Sequence, residues 1–286
     1  MRILVTGAKG QLGYDCLREL SSRGFRDIKG IDIDNLDITS EADVHSYISS
    51  YKPDAIIHAA AWTAVDKAEE YPDQVYAVNA LGPKYIAEAA NDIGAKVIYI
   101  STDYVFPGMG KTPYETTDSV SPSSVYGKTK LEGERFVLLA NPRSFVVRIS
   151  WAFGVNGNNF VKTMLRLAET HSHLEVVCDQ VGSPTYTRDL AILLVDMLQT
   201  DRYGVYHATN EEFCSWADFA EAIFQVANRN VVVDRVTTRD YCAAHPTTAP
   251  RPLNSRLSKS KLDESGFARL PTWKDALARY LKELQQ

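Results

Sequence analysis

The chain has 286 residues, enough to bury a sizeable core as one large or two modest domains. Its 45% hydrophobic and 23% charged content is that of a globular protein, and a net charge of −5 offers no basic footprint for nucleic acid. Cys16, Cys178, Cys214 and Cys242 are scattered without a Cys-x-x-Cys pair, and there is neither a signal-peptide start nor an apolar run of about 18 residues, so reduced thiols, a cytoplasmic setting and no membrane partner are expected.

In chain order, Arg2–Thr6 reads as a strand, followed by Gly7-x-x-Gly10-x-x-Gly13 and a helix whose apolar stripe is Leu12, Cys16, Leu17 and Leu20. A strand, a glycine turn and a helix N-terminus form a cradle for a dinucleotide. Glycines admit the diphosphate close to the backbone, and the helix dipole favours its charge. An ordinary glycine-rich turn is the bland alternative. Ile28–Asp32 is the second strand, and Asp32 falls where an acidic side chain binds the adenosine ribose. A turn-capping role competes, as does Asp34. An Asp32 facing the ribose favours NADH, while nearby Arg26 and Lys29 keep NADPH open. Ser40-x-x-Asp43 starts a helix carrying Val44, Ile48 and Tyr51. Asp54–His58 is the third strand, and the small residues Ala59, Ala60 and Ala61 after it let a flat ligand lie against the backbone. His58 reads as a packed histidine ahead of a ligand or base. Asp66–Glu70 is charged and expected to be exposed. The helix from Pro72 to Asp92 carries a polar Asn79 on an apolar face, counted with the cofactor-binding residues, either holding the neighbouring active-site loop or acting as a buried cap.

Val97–Ile100 is a buried strand that ends in Ser101, Thr102 and Asp103. A Pro/Gly-rich loop follows, and Tyr126 opens a helix with Lys130 four residues on, so phenol and ammonium share a face one turn apart. Ser144–Ile149 is a further strand. This alternation predicts an α/β fold, a Rossmann-type doubly wound parallel sheet with ligands at the strand C-termini. After Trp151 the character changes to a loop with Gly154, Gly157, Asn158 and Asn159, then helices over 160–168 and 189–198, and helices capped at Ser215-x-x-Asp218 and Thr272-x-x-Asp275. Pro246, Pro250, Arg251 and Pro252 make a rigid loop. The expected division is a dinucleotide-binding domain of 1–150, with 186–208 returning to it, and a smaller α/β substrate domain of 151–185 and 209–286. Trp151 and Arg251 are candidates for gripping an aromatic and a phosphate, set against core packing and a surface ion pair. No residues stand at metal-ligand spacing; His171 and His173 read as a solvated turn.

The glycine turn, Thr102 and Tyr126-x-x-x-Lys130 resemble the extended short-chain dehydrogenase/reductases. Ala-Ala-Ala-Trp-Thr-Ala-Val-Asp-Lys-Ala-Glu69, Ser-Thr-Asp-Tyr-Val-Phe106, Gly-Asn-Asn-Phe160, Asp-Gln-Val-Gly-Ser-Pro-Thr185 and Arg-Pro-Leu-Asn-Ser-Arg-Leu257 narrow the resemblance to the dTDP-4-dehydrorhamnose reductase family. That family often has His where Trp62 stands. The resemblance implies reduction of a 4-keto nucleotide sugar by NADPH or NADH. Tyr126 would be the proton donor, Lys130 its activator and ribose anchor, and Thr102 the hydroxyl orienting the carbonyl. Gly7, Gly10, Gln11 and Leu12 would hold the diphosphate, Asp37 and Ile38 would lie beside the adenine, and Ala59, Ala60 and Ala61 would line the cofactor. Thr63, Val65, Asp103, Tyr104, Trp151 and Asn159 fall on the substrate side. Lys130 is expected to lower the phenol from its ordinary value of about 10. A homodimer is the expected assembly. Two alternatives are a 4-epimerase or dehydratase on the same fold, disfavoured because Tyr104 stands where dehydratases carry a glutamate, and a non-catalytic NAD(P)-binding regulatory subunit.

Overall fold

The computed structural model describes residues 1–244 and 249–285; Pro246 lies outside the described residues. Its central sheet has six parallel strands: β1 (Ile3–Thr6), β2 (Ile28–Ile31), β3 (Ala55–His58), β4 (Lys96–Thr102), β5 (Ser144–Ile149) and β6 (Gly204–His207), in the order β6-β5-β4-β3-β1-β2. β1 and β3 are buried along their whole length, as continuous apolar runs in a sheet covered on both faces must be. One face packs on α1 (Gln11–Ser22) through Leu12, Cys16 and Leu20, and on Leu190 and Leu194 of a helix over Thr187–Leu198. The other face packs on α2 (Glu41–Tyr51) through Val44 and Ile48, on α3 (Gly82–Asp92) through Ile86 and Ala90, and on α4 (Val125–Ala140) through Val137. The order turns back at β1, with β2 on one side and β3 on the other. That switch point opens a crevice above the strand C-termini.

The helix read over Pro72–Asp92 is three segments in succession: Pro72–Tyr76, a π turn at Ala77–Leu81, and α3. Pro83, which has no N–H to give the ladder, stands just after the π turn, and Asn79 lies inside it. The caps read from the sequence form. Ser40, Ser215 and Thr272 accept hydrogen bonds from the backbone of Asp43, Asp218 and Asp275, and Ser215 with Asp218 closes a full capping box.

A second cluster, with Phe153, Tyr186, Phe219, Trp273 and Tyr280 at its centre, sits beside the sheet's own core. It is flanked by a parallel pair of strands, His173–Val177 and Val232–Val236, which the sequence did not signal. Their residues are mostly exposed or half-buried, so no apolar run marks them. Leu262, Phe267 and Leu270, although late in the chain, pack into the core of the six-stranded sheet. All four cysteines are free thiols. Among the described residues no helix is long and apolar enough to cross a membrane.

Candidate active site

A cleft of about 810 Å³ runs over the C-terminal ends of β1, β3 and β4. Its floor is the glycine turn. Gly7 has φ +67, and a Cβ there would stand 2.7 Å from the Ala60 nitrogen; a Cβ on Gly13 would stand 2.1 Å from the Gly7 carbonyl oxygen. Turn, helix and the Ala59–Ala60 strand exit therefore approach each other as only glycine permits. Gly10 caps α1 without a side-chain bond, so the helix presents its N-terminal N–H groups to the cleft. This is a cradle that side chains would fill, and it fits a dinucleotide diphosphate. Gly7, Gly10, Gln11, Leu12, Gly13, Ala59, Ala60 and Ala61 all line it, with Asp32, Asp37 and Ile38 at one end. The Asp32 carboxylate accepts the Lys9 and Ile33 backbone N–H groups, each at 2.9 Å, and Lys9 Nζ pairs with Asp34 at 2.8 Å. Gln11 Oε1 accepts from the Gly154 N–H (2.8 Å) and Asn159 Nδ2 (3.0 Å), which ties the turn to the loop ahead of the helix Phe160–Leu167.

The reactive side chains meet because α4 lies close against the end of β4. Ser124 caps α4 by accepting from the Gly127 N–H at 3.1 Å, and a Cβ on Gly127 would come within 2.3 Å of the Tyr104 carbonyl oxygen. Tyr126 and Lys130 thus share the cleft with Thr102, Asp103 and Tyr104. The Tyr104 and Tyr126 rings meet edge to face at 5.4 Å. Beneath them Arg148 pairs with Glu134 at 2.7 Å and Ser101 donates to the same carboxylate. Lys130 Nζ donates to the Ile100 carbonyl at 2.6 Å and stands 4.0 Å over the Tyr99 ring.

The Tyr126 phenol stands above its ordinary value, where a lowered one was expected. Burial pushes the phenol up to about 12, a hydrogen bond with Thr102 pulls it down, and the Asp103 charge pushes it up again. The ammonium is turned onto Ile100 and Tyr99, and burial lowers it to about 7 against the opposing pull of Glu134. His58 is a packed histidine. Its Nδ1 meets the Thr6 hydroxyl at 2.7 Å, its ring stacks on Tyr99, and burial with the nearby Lys130 charge lowers it to about 3.

Thr63 and Val65 line the far side of the cleft with Trp151. Trp151 holds φ +51, an uncommon conformation for a bulky side chain. Its indole stacks on Trp216 at 3.8 Å, and Trp216 packs on Phe160 at 4.5 Å. Trp216 also lines the cleft, and sequence reasoning missed it; the one signal was its place directly after the Ser215 cap. Three expected site residues do not line the cleft. Asn79 clamps the loop after β3, accepting from the Trp62 N–H at 2.8 Å and donating to the Trp62 carbonyl at 3.0 Å. Asn159 caps the helix Phe160–Leu167 and bonds Gln11, leaving Asn158 to face the cleft. Arg251 is held by Asp66 in two hydrogen bonds of 3.0 and 2.8 Å, so the ion-pair alternative describes it. The fold also gathers Glu41, His45 and Glu88 with ligand atoms within 4.8 Å of one another, a grouping the sequence reading did not anticipate; none of the three lines the cleft.

The family model described as RmlD substrate binding domain matches residues 1–286. The dTDP-4-dehydrorhamnose reductase of Aggregatibacter actinomycetemcomitans is 44% identical over 96% of this chain and 97% of its own length. The chain belongs to the dTDP-4-dehydrorhamnose reductase family. A crystal structure of a family member from Clostridium acetobutylicum superposes with a TM-score of 0.96 at 44% identity, covering 100% of both chains. That of Bacillus anthracis, solved in complex with NADP, gives 0.94 at 41% identity over 99% of each. The cleft described above is the part of this family fold in which a glycine cradle and a Thr-Tyr-Lys group face one another.

Proposed function

We propose that this chain reduces the C4 ketone of dTDP-4-dehydro-L-rhamnose to dTDP-L-rhamnose with NADPH or NADH. The observation that carries this reading is the convergence of Thr102, Tyr126 and Lys130 in the same cleft as the Gly7–Gly13 cradle. A reduced nicotinamide bound there would supply the hydride to the sugar C4. The residues of the chain do the rest. Thr102 donates a hydrogen bond to the carbonyl oxygen as it charges, and Tyr126 gives it a proton. Lys130, freed from the Ile100 carbonyl, orients the cofactor ribose and stabilises the phenolate. Thr63, Val65, Asp103, Tyr104 and Trp151 hold the nucleotide sugar, with Gly7, Gly10, Gln11, Leu12, Asp32, Asp37 and Ile38 on the cofactor.

Tyr104 after Asp103 favours reduction over elimination, because a dehydratase needs a second acid or base at that position. The test follows loss of the reduced-nicotinamide absorbance with dTDP-4-dehydro-L-rhamnose and each cofactor in turn. A reductase consumes one cofactor per ketone. An epimerase or dehydratase recycles it, and a regulatory subunit leaves it untouched. The reading includes a two-lobe division, 1–150 with 186–208 against 151–185 with 209–286. It is supported by the return of β6 to the sheet and by the separate cluster around Phe219, with Leu262, Phe267 and Leu270 riding on the first lobe. It also includes a homodimer and a cytoplasmic location, checked by sedimentation and by cell fractionation.

A further inference from the structure

Lys130 is buried, and Glu134, the carboxylate one turn on in α4, is already engaged by Arg148 at 2.9 and 2.7 Å and by the Ser101 hydroxyl. The ammonium instead donates to the Ile100 carbonyl at 2.6 Å and stands 4.0 Å from the centre of the Tyr99 ring. The charged or titratable groups that face it are Glu134 on its own helix and His58 on β3, and Tyr126 with Glu134 faces Tyr99. His58 stacks on Tyr99, and burial holds it neutral, so it sets no second cation against Lys130 at neutral pH.

Tyr99 is 0% exposed and lies on the face of β4 that packs against α4. Its hydroxyl reaches the Asn79 carbonyl at 3.1 Å and the Lys130 carbonyl at 3.3 Å, one proton shared between two acceptors. Asn79 has such a carbonyl to offer because the residue four positions on is Pro83, so the usual helical N–H donor is missing. A Cβ on Gly133 would collide with both the Asn79 carbonyl oxygen and the Tyr99 hydroxyl, so α4 comes this close only through a glycine. β4, the π turn and α4 therefore meet at one hydroxyl, and the ring beneath it carries the ammonium. A leucine would fill the same space and supply neither contact.

We infer that Tyr99 is a positioning residue for Lys130: its ring face holds the ammonium at the cleft, and its hydroxyl fixes the backbone that carries it. The kinetic consequence rests on the reductase reading. Attraction to the negative face of a ring is not tied to any one N–H. The ammonium can exchange the Ile100 carbonyl for a cofactor ribose hydroxyl and keep the ring. The ring favours the protonated amine, against the burial that lowers Lys130 to about 7. Without the ring, Lys130 loses its proton at lower pH.

The test titrates Lys130 by carbon NMR of the lysine side chains, its signal being the one absent from Lys130→Met. Beside it, kcat/KM for ketone reduction is measured from about pH 6 to about pH 9. In the wild type the rate falls on the alkaline side with the inflection of the Lys130 signal. In Tyr99→Leu both inflections move down by about one pH unit. Tyr99→Phe keeps both inflections and raises the cofactor KM about two- to tenfold, because the ring stays and the hydroxyl is lost. Where Tyr99→Leu fails to fold, phenylalanine and pentafluorophenylalanine at the same position replace it. The two match closely in shape, and fluorine removes the negative face, so the fluorinated ring should shift the inflection as leucine would. An unmoved Lys130 signal in Tyr99→Leu or with the fluorinated ring overturns the inference, and an unchanged cofactor KM in Tyr99→Phe overturns the part given to the hydroxyl. A shifted signal in an enzyme with no ketosugar turnover removes the reductase reading and leaves the hold on Lys130 standing; turnover with an unmoved signal removes the inference alone.

Discussion

The two sides of the cleft are built differently. The cradle is built on one short stretch, Gly7 to Gly13, whose strand, turn and helix are neighbours in sequence, with the exit of β3 at Ala59 and Ala60 closing on Gly7. The opposite wall brings together Thr63, Asp103, Trp151 and Trp216, which come from four separated segments. The cradle's geometry is local, set by backbone that tolerates no Cβ at Gly13. The wall's geometry depends on how Trp216 seats against Trp151, whereas a Cβ at Gly13 would meet the Gly7 carbonyl. If this difference is functional, substitutions on the two sides will move different kinetic constants.

The largest effect is expected where the sides meet. Tyr126→Phe should lower kcat by about 10²- to 10⁴-fold and leave cofactor affinity close to wild type, read by steady-state kinetics beside a fluorescence titration. Near-normal turnover in this variant would withdraw Tyr126 from the chemistry. Lys130→Met should reduce both rate and cofactor affinity, by about tenfold or more each, since Lys130 serves both sides. Unchanged values of both would exclude its role.

Gly13→Ala tests the cradle alone. Its methyl would meet the Gly7 carbonyl, so cofactor KM should rise about tenfold and stability should fall by about 1–3 kcal/mol, with the nucleotide-sugar KM little changed. Trp216→Ala tests the wall alone. Loss of the stack on Trp151, worth about 0.5–1.5 kcal/mol, should raise the nucleotide-sugar KM about two- to tenfold and spare the cofactor KM. If Gly13→Ala and Trp216→Ala move the same constant, the separation of the two sides fails.

Acid stability gives a gentler contrast. His58 and His207 are buried at the ends of β3 and β6, and burial lowers both to about 3 from an ordinary value of 6.5. Between those values the unfolded chain binds more protons than the folded one, so stability is fully present above about 6.5 and is lost as pH falls toward 3. Asp103, raised by burial, works against this between its ordinary value and about 6. Melting scans should therefore show acid destabilisation that His58→Gln reduces.

The amino-acid order by itself determined the parallel sheet, the glycine cradle, the helix caps and the Tyr126–Lys130 face, because each is encoded within a few residues by strand runs, Cβ exclusion, capping oxygens or helical pitch. It also carried the family, through motifs spread along nearly the whole chain. Only the tertiary structure decided what Asn79, Asn159 and Arg251 do. Each has hydrogen-bond partners elsewhere in the chain, at Trp62, Gln11 and Asp66, and no local pattern names a distant partner. The same holds for the Lys130 ammonium turned to Ile100, for the orphaned oxygen of Asp103 and for Trp216. Burial and opposing surfaces set their chemistry, and these exist only once distant segments of the chain have packed.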